Sequence, residues 1–374
     1  MKGLAITSKG LEETAAAEIK ELINKKCEIK DCCAAFEFEK FEDLCILCYK
    51  AQSVDGILYL IDSFEFKNIE DFEKSFEKAD FGEWLKKHKK FRVECLRSGS
   101  HDFKSTDIEK RLINFINKKC KNAKFGMKGY EIIFFIYIVN DNCHIGIDFA
   151  GFELNKRAYK IYLHPNSLRA TISYALAKES GFQKDEVLLD PFSRDGIIPI
   201  EAALYANDFP VNCYKKDRFA FLMLDLGVDY ENLFKGIDRK IIKKSKARIY
   251  SFDHLFKFVD FSKKNAKIAG VEKNIEFSRT ELEWLDIKFK KESVDRIVTS
   301  PPTSKNANLD KIYNEFFYQS EYILKKDGSM GIITRMPDFV KKHAEKHNFK
   351  VVNEKEVWSG EQKLIIVTFK KYSE

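Results

Sequence analysis

The sequence predicts an α/β protein whose C-terminal part folds as a doubly wound parallel sheet. From residue 187 onward, short apolar runs alternate with helical patterns, which is the spacing of parallel strands joined by helices. These runs predict strands over residues 187–189, 248–252, 274–278, 294–299, 329–334 and 363–369. A chain of 374 residues, 44% of them hydrophobic, is long enough for two or three domains with ordinary packed cores.

The first part of the chain predicts a small α+β unit followed by a second small module. Leu11, Ala15 and Ile19 lie at helical spacing and predict a helix over residues 10–24. Further helices are predicted over residues 41–51, 72–89 and 106–119, and strands over 2–7, 34–39, 55–62, 90–96, 131–139 and 143–148. Ser105 or Thr106 is the predicted N-cap of the helix over 106–119. The second module, with its interspersed Lys and Arg, is of a kind that binds nucleic acid.

Composition excludes some classes of protein. The net charge of +7 and the pI near 8.7 are only mildly basic, so a polyanionic partner must be argued from local clusters. Nine cysteines are scattered along a chain whose start lacks a secretory apolar segment, which predicts a reduced, cytoplasmic protein. The longest apolar run, residues 132–139, is far too short to span a membrane.

Two pairs of residues with metal-like spacing are interpreted as structural. Cys45 and Cys48 lie in an apolar helical pattern without a second pair to complete four ligands, so buried core thiols are expected. His343 and His347 lie one helical turn apart without an evident third ligand, so surface histidines are expected. The sequence therefore predicts no metal site.

The most informative stretch is residues 187–203. Its apolar run ends at Asp190, passes through a turn that contains Gly196, and continues into an alanine-rich helical pattern. In a doubly wound sheet, a ligand binds in the crevice outside the carboxyl end of such a strand, facing the amides that open the helix. We therefore expect a strand, a cofactor-sized loop and a helix.

Four segments carry a family resemblance. Residues 97–103 (RSGSHDF), 146–148 (GID), 154–159 (LNKRAY) and 164–168 (HPNSL) resemble the THUMP domain and its exit segment in RNA-modifying enzymes. The opening unit is similar to the ferredoxin-like module that precedes THUMP. In the archaeal and bacterial tRNA guanosine N2-methyltransferases that carry this pair, a class I methyltransferase domain follows. The resemblance covers nearly the whole chain and implies a ferredoxin-like module over 1–65, a THUMP-like RNA-binding domain over 66–165 and a Rossmann-like, class I methyltransferase-like domain over 166–374.

The resemblance implies that tRNA is the partner of these segments. The implied RNA-binding residues are Arg97, His101, Phe103, Lys156, Arg157 and Arg169. Each Lys or Arg that neutralises a phosphate adds affinity without reading the base sequence. A role of His101 in capping its loop is equally compatible with the sequence. The insertion between residues 201 and 248, with a basic run over 239–248, suits either a partner or RNA surface or a helix with a solvated face.

The cofactor implied by the resemblance is S-adenosylmethionine. The implied cofactor-binding residues are Asp190, Phe192, Ser193, Gly196, Asp253 and Glu281. Arg194 stands where the family has its first loop glycine, so its side chain is expected to crowd the pocket or distort the turn. Asp195 is expected to face the cofactor carboxylate in an unfavourable like-charge contact. Asp253 lies where the family binds the ribose hydroxyls, although a structural strand-end acid is also compatible, and Glu281 lies near the adenine position.

The catalytic residues implied by the resemblance are Ser300, Pro301, Pro302 and Thr303. The family pattern is Asn or Asp, two prolines, then Tyr or Phe. Methylation of an exocyclic amine needs an acceptor that holds the NH2 group and a flat side chain that stacks on the flipped base. Ser300 is a shorter acceptor and Thr303 cannot stack, so both roles are expected to be weakened. Two hypotheses follow: a tRNA guanosine N2-methyltransferase, or a catalytically degenerate, methyltransferase-like RNA-binding protein or subunit.

Overall fold

The computed structural model describes residues 1–304 and 308–372. By its internal contacts the chain divides into two compact units. The N-terminal unit comprises Met1–Thr7, Ala15–Leu154 and Asn212–Lys235, and the C-terminal unit comprises Ser8–Thr14, Asn155–Val211 and the chain from Gly236 onward. The three-domain division with boundaries at residues 65 and 165 stays a prediction.

The N-terminal unit is built on one eight-stranded sheet. Its strands are β1 (Lys2–Ile6), β2 (Cys27–Lys30), β3 (Cys33–Glu37), β4 (Gly56–Glu65), β5 (Lys90–Ser98), β6 (Lys124–Phe125), β7 (Ile132–Val139) and β8 (Asn142–Asp148), in the order β2-β3-β1-β4-β8-β7-β5-β6. The helices are α1 (Glu12–Ile23), whose first turn belongs to the C-terminal unit, α2 (Phe41–Lys50), α3 (Glu70–Lys78), α4 (Gly82–Lys87) and α5 (Ser105–Lys119). The single helix predicted over 72–89 is two helices, because Ala79 adopts an extended conformation that ends α3. The helix predicted over 106–119 begins at Ser105, and its N-cap position is Lys104 rather than Ser105 or Thr106.

Aromatic rings fill much of the N-terminal unit. The rings of Phe72 and Phe76 are fully buried and lie 6.3 Å apart between centroids. The insertion residues 212–235 join this unit through the backbone, since the amide of Phe221 donates to the carbonyl of Phe149 at 3.0 Å. The Phe234 ring lies 4.8 Å from that of Tyr49. Core packing therefore accounts for many of the 33 phenylalanines of the chain.

The C-terminal unit is built on a seven-stranded sheet with helices on both faces. Its strands are β9 (Val187–Asp190), β10 (Arg248–Asp253), β11 (Ile275–Arg279), β12 (Val294–Thr299), β13 (Leu324–Thr334), β14 (Phe349–Ser359) and β15 (Gln362–Lys371), in the order β11-β10-β9-β12-β13-β15-β14. The helices are α6 (Ala170–Glu179), α7 (Ile197–Ala206), α8 (Tyr230–Asp238), α9 (Phe256–Ala269), α10 (Leu285–Lys288), α11 (Leu309–Ile323) and α12 (Pro337–Glu345), and most of α8 falls within the N-terminal unit. The insertion between residues 201 and 248 contains helix α8, as one of the two alternatives predicted, and the basic run over 239–248 follows the end of that helix.

Five strands of this sheet are parallel, as predicted. The last predicted strand, β15, instead runs antiparallel to β13, with Ile332 opposite Val367, and forms a hairpin with β14. One face buries apolar residues of α6, α7 and α9, and the other buries those of α11 and α12. The prediction of a Rossmann-like α/β domain preceded by an α+β region is confirmed. Among the described residues, no helix has the length and apolar character needed to cross a membrane.

The topology brings three strand ends together. Strand β9 lies between β10 and β12, so Asp190, Asp253 and Thr299 end neighbouring parallel strands. In doubly wound sheets the point at which strand order reverses is where a crevice opens for a ligand. The side of the sheet at the carboxyl ends of these strands, called the carboxyl edge, is therefore the expected position of a functional site.

Candidate functional site

Asp190 lies at the centre of the carboxyl edge, between the ends of β10 and β12, and is almost completely buried. Its Oδ1 accepts hydrogen bonds from the Thr299 hydroxyl at 2.6 Å and from the amide of Phe192 at 3.2 Å. Its Oδ2 is buried and has no hydrogen-bond partner among the described residues. Burial raises the pKa of this carboxyl to about 7. One oxygen is thus fixed by the protein, while the other is available to a donor on a ligand.

The loop between β9 and α7 is a tight turn. The amide of Gly196 donates to the carbonyl of Ser193 at 2.7 Å. The amide of Ser193 donates to the carbonyl of Phe252 at 2.9 Å. Gly196 has a φ of +79°, and a Cβ on it would lie 2.0 Å from the Ser262 hydroxyl oxygen. This position therefore requires glycine. The Ser193 hydroxyl is buried without a partner among the described residues and, like Asp190, lines a small cavity of about 10 Å³ beneath Arg194.

Arg194 adopts a backbone conformation that normally favours glycine. Its φ is +51°, in the left-handed region that side chains disfavour. Its amide donates to Asp253 Oδ2 at 3.0 Å, which fastens the turn to the end of β10. The side chain of Arg194 was expected either to distort the turn or to crowd the pocket. The turn is formed, and the side chain crowds the pocket.

The Arg194 guanidinium lies across the mouth of the site. Its Nη1 donates to the carbonyl of Asn166 at 3.1 Å and lies 3.4 Å from the Ser300 hydroxyl. Its Nη2 donates to the carbonyl of Pro301 at 3.2 Å. Burial lowers the pKa of the guanidinium, while the carboxylates of Asp190, Asp195 and Asp253 raise it. The group is a cation among three acids, and it also contacts the Ser300 hydroxyl and the Pro301 carbonyl.

Asp195 also lines the small cavity beneath Arg194, and its expected like-charge contact with the cofactor carboxylate stays a prediction. Its Oδ2 accepts the amide of His164 at 3.1 Å. Its own carbonyl accepts from Asn265 at 2.9 Å, and the residue is buried. Asp195 therefore ties the loop to the segment that leads into this unit.

Two acids stand near the ends of β10 and β11. Asp253 is buried, and its carboxylate accepts the amides of Arg194 and Leu255 at 3.0 and 2.9 Å, which leaves further lone pairs on both oxygens. Glu281 follows β11, is half-buried, and lies 3.7 Å from the Arg279 guanidinium. Both positions suit a nucleoside ligand, and their binding roles stay predictions.

The segment Ser300–Thr303 follows β12 and borders a cleft of about 120 Å³. The Tyr313 hydroxyl donates to the carbonyl of Pro302 at 3.1 Å and holds the segment from below. Asn166, Arg335 and Gln362 also line the cleft and were not predicted, since they belong to three separate parts of the sequence. The described residues that line it include no aromatic ring, so the stacking partner that Thr303 cannot provide is not supplied there.

The loop over residues 97–103 in the N-terminal unit is held by its own side chains. His101 donates through Nε2 to the carbonyl of Asn140 at 2.7 Å, which leaves Nδ1 to accept from Arg97 Nη1 at 3.0 Å. The Arg97 guanidinium lies 5.7 Å from the centre of the Phe103 ring. His101 therefore caps its loop, which was one of its two expected roles, and RNA contact by these residues stays a prediction.

Arg157 was predicted to contact RNA, and this is wrong. Its side chain is 0% exposed and forms a bidentate ion pair with Glu201, with distances of 2.9 and 3.2 Å. The Tyr159 hydroxyl donates to the same carboxylate at 2.5 Å. By contrast, Lys156 is exposed, and Arg169 is half-buried with Nη1 3.4 Å from the Ser8 hydroxyl. RNA contact by Lys156 and Arg169 stays a prediction.

The residues with metal-like spacing are structural, with one difference. Cys45 and Cys48 are fully buried on α2, and burial raises the pKa of both thiols. His343 was expected at the surface but is buried, with Nδ1 2.9 Å from the carbonyl of Phe339 and Nε2 3.1 Å from Asp310. It lies on the inner side of α12, where the spacing of His343 and His347 alone does not reveal which histidine faces the core.

The sheet order and the position of the site define a class of protein. The sheet has five parallel strands and a final antiparallel hairpin, as in the class I methyltransferase fold. Acids end β9 and the neighbouring β10, next to the tight loop that follows β9. Residues 157–364 match the UPF0020 family, described as the RMKL-like methyltransferase domain, and residues 66–148 match the THUMP domain. The chain belongs to this family of THUMP-containing methyltransferases, as the sequence predicted.

Two curated relatives match most of the chain. A tRNA (guanine(6)-N2)-methyltransferase of Methanocaldococcus jannaschii is 30% identical over 369 residues, covering 94% of this chain and 95% of the relative. Its counterpart from Archaeoglobus fulgidus is 24% identical over 341 residues, covering 88% and 82%.

Solved structures share the fold over the full length. TrmN from Thermus thermophilus superposes with a TM-score of 0.72 at 19% identity and covers 99% of both chains. SMU.472, crystallised with SAH, superposes with a TM-score of 0.83 at 19% identity, covering 100% of this chain and 98% of that one.

Proposed function

We propose that this chain is an S-adenosylmethionine-dependent tRNA (guanine-N2)-methyltransferase, acting on guanine 6 as its relatives are named to do. The observation that carries the proposal is the placement of the free Asp190 oxygen and the Ser300–Thr303 segment at one edge of a methyltransferase sheet. The match over 94% of the chain to a relative of that activity supports it. A cytoplasmic location is part of the same proposal, since tRNA is the substrate.

The residues present fit the cofactor. Asp190 Oδ2 and the Ser193 hydroxyl are buried polar atoms without partners among the described residues, and such atoms normally have one. An ammonium donor would satisfy Asp190, and the lone pairs of Asp253 suit ribose hydroxyls. Phe192, Gly196 and Glu281 complete the proposed cofactor site. S-adenosylmethionine supplies, when bound, a methyl group on a cationic sulfur.

The chain itself positions the acceptor amine. The Pro301 carbonyl and the Ser300 hydroxyl are hydrogen-bond acceptors at the mouth of the cleft, and an exocyclic NH2 held by them would direct its lone pair toward the methyl group. Tyr313 fixes the segment through Pro302, and Thr303, which follows it, lines the cleft. The guanidinium of Arg194 donates to the Pro301 carbonyl, so the amine would share this oxygen with it or displace it.

A second function is favoured by that same contact. Because Arg194 closes the mouth and Thr303 offers no ring, the site also suits a protein that holds tRNA without transferring a methyl group. In that case Arg97, His101, Phe103, Lys156 and Arg169 would contribute binding alone.

One pair of measurements separates the two functions. Calorimetric titration of the full chain with SAH, followed by transfer of labelled methyl groups to tRNA, is expected to show saturable binding and incorporation that disappears when guanine 6 is replaced by inosine, which has no N2 amine. Saturable tRNA binding without any SAH binding would support the non-catalytic function and refute the first.

A further inference from the structure

A row of aromatic rings covered by lysines lies on the C-terminal unit beside the cofactor loop. The ring row consists of Tyr162, Phe261, Phe258 and His164, with successive centroid distances of 5.7, 6.0 and 4.6 Å. All four side chains are half-buried, so each ring is also partly accessible. Two rings come from the segment before α6 and two from α9, so no single stretch of sequence reveals the row.

The row is held in place by a buried amide. Asn265 is fully buried, and its Nδ2 donates to the carbonyls of Tyr162 at 2.8 Å and Asp195 at 2.9 Å. Its Oδ1 accepts the amides of Ile161 and Tyr162 at 3.3 and 3.0 Å. The rings are therefore fixed relative to the cofactor loop, to which His164 is also joined through Asp195.

The charge beside the row is positive. Lys264 Nζ lies 5.0 Å from the centre of the Tyr162 ring, and Lys257 Nζ lies 5.5 Å from that of Phe261. Helix α9 carries Lys257, Lys263, Lys264 and Lys267 against the single acid Asp260, which pairs with Lys264 at 2.8 Å. Phe256, the first residue of α9, is 72% exposed. Lysine stems over aromatic faces also occur as ordinary surface packing, but a fixed row of rings with excess positive charge suits a polyanion that also has flat faces.

We propose that the ring row binds nucleotides of the tRNA beside the target guanine when the strand there is opened to give access to that base. Proteins that hold single-stranded RNA combine a cationic track for the phosphates with aromatic side chains on which bases stack. The row adjoins the loop that carries Arg194, since the His164 amide donates to Asp195, and the next two residues after His164 line the acceptor cleft. This inference rests on the proposed function, because it requires tRNA as the substrate.

The electrostatic part of the test compares two charge-matched variants. Lys257→Gln with Lys264→Gln removes the lysines over the rings. The control, Lys246→Gln with Lys273→Gln, removes two exposed lysines that precede β10 and β11. They lie at the amino ends of these strands, away from the cofactor loop. Binding of tRNA to the full chain is measured over a range of salt concentrations. The slope of log affinity against log salt is expected to fall by about 1.4 in the first variant, since each single-strand phosphate contact contributes about 0.7. The control is expected to keep the slope of the unmodified chain.

The stacking part of the test uses Phe261→Leu, which keeps an apolar side chain but removes a ring. Affinity for tRNA is expected to fall about tenfold at high salt, with SAH binding unchanged. Equal slopes in the two lysine variants, or unchanged affinity in Phe261→Leu, would overturn the ring row and leave the methyltransferase proposal standing. A change in self-association of Phe261→Leu without a change in tRNA affinity would assign the row to a contact between copies instead. Absence of tRNA binding by the unmodified chain would overturn both proposals.

Discussion

At the scale of single residues, Arg194 sets the properties of the candidate site. Its guanidinium donates to the carbonyls of Asn166 and Pro301, two groups that lie more than 130 residues apart in sequence. It also lies close to Asp190, the carboxyl proposed to accept the ammonium of the cofactor. We therefore expect a cationic cofactor and this side chain to compete for the site.

Replacement of Arg194 by glycine is expected to tighten SAH binding by at least about tenfold. The guanidinium must leave two carbonyls and a hydroxyl, and hydrogen bonds of charged groups contribute roughly 1.5–3 kcal/mol each. Glycine also suits the φ of +51° at this position. Calorimetric titration with SAH measures the change.

Arg194→Ala is the matched control for that experiment, because it removes the guanidinium but keeps a Cβ in the left-handed conformation. Similar tightening in both variants would identify the side chain as the obstacle, and tightening in glycine alone would identify the backbone strain. If neither variant binds SAH more tightly than the unmodified chain, competition by Arg194 is refuted.

Arg157 shows that a prediction from sequence can miss the partner of a charged residue. A basic residue in a basic segment suggests a solvated cation, but Glu201, its partner, lies 44 positions away on α7. A buried charge is tolerated only with a partner of good geometry, which the bidentate contact and Tyr159 supply. The sequence distance hides this pairing, whereas the acids at strand ends were predictable because topology alone places them.

At the scale of elements, apolar runs predicted the buried strands well and the exposed ones poorly. Strands β9, β12 and β13 each contain a short run of buried, mainly apolar residues, because helices cover both faces of the sheet. Strands β2 and β14 were missed because most of their residues are half-buried or exposed and show no apolar run. The antiparallel direction of β15 depends on the hairpin with β14, so it could not be predicted once β14 was missed.

The Ser300–Thr303 segment after β12 can be changed to the acceptor and aromatic residues of the family pattern. Ser300→Asn with Thr303→Tyr supplies a longer acceptor and a stacking ring, and base stacking contributes roughly 1–3 kcal/mol. We expect methyl transfer to tRNA to rise about tenfold or more in this double variant. Single-turnover transfer under saturating cofactor is the appropriate measurement.

The same double variant in an Arg194→Gly background tests whether the two sites are coupled. Because Arg194 contacts both Ser300 and Pro301, the combined gain is expected to exceed the product of the separate gains. Thr303→Leu in place of Thr303→Tyr is the control for side-chain bulk. A gain that is equal for Leu and Tyr would rule out stacking as its cause.

At the scale of the whole molecule, each unit buries one carboxyl group whose pKa is raised to about 7. Asp148, in the N-terminal unit, accepts the amides of Ala150 and Gly151 at 2.9 and 3.0 Å, and burial outweighs these bonds. Asp190 is its counterpart in the C-terminal unit, where burial again is the largest cause. Both groups bind a proton more tightly in the folded chain than in the unfolded chain, where an aspartate has a pKa of about 3.9.

The free energy of unfolding is therefore expected to fall as pH rises from about 4 to about 7, and to change little from these two groups above that range. Between those limits the folded chain holds protons that the unfolded chain has released, so the slope of stability against pH is negative, with a total of up to about 4 kcal/mol for each group. Calorimetric melting at about pH 5 and about pH 8 measures the difference. Asp148→Asn and Asp190→Asn should each reduce it, since asparagine does not titrate, whereas Asp185→Asn, at an exposed position, should not. If both buried-site variants keep the full pH difference, the two carboxyl groups are not its source. If Asp190→Asn alone removes it, the N-terminal unit holds Asp148 ionised, and its two amide hydrogen bonds outweigh burial.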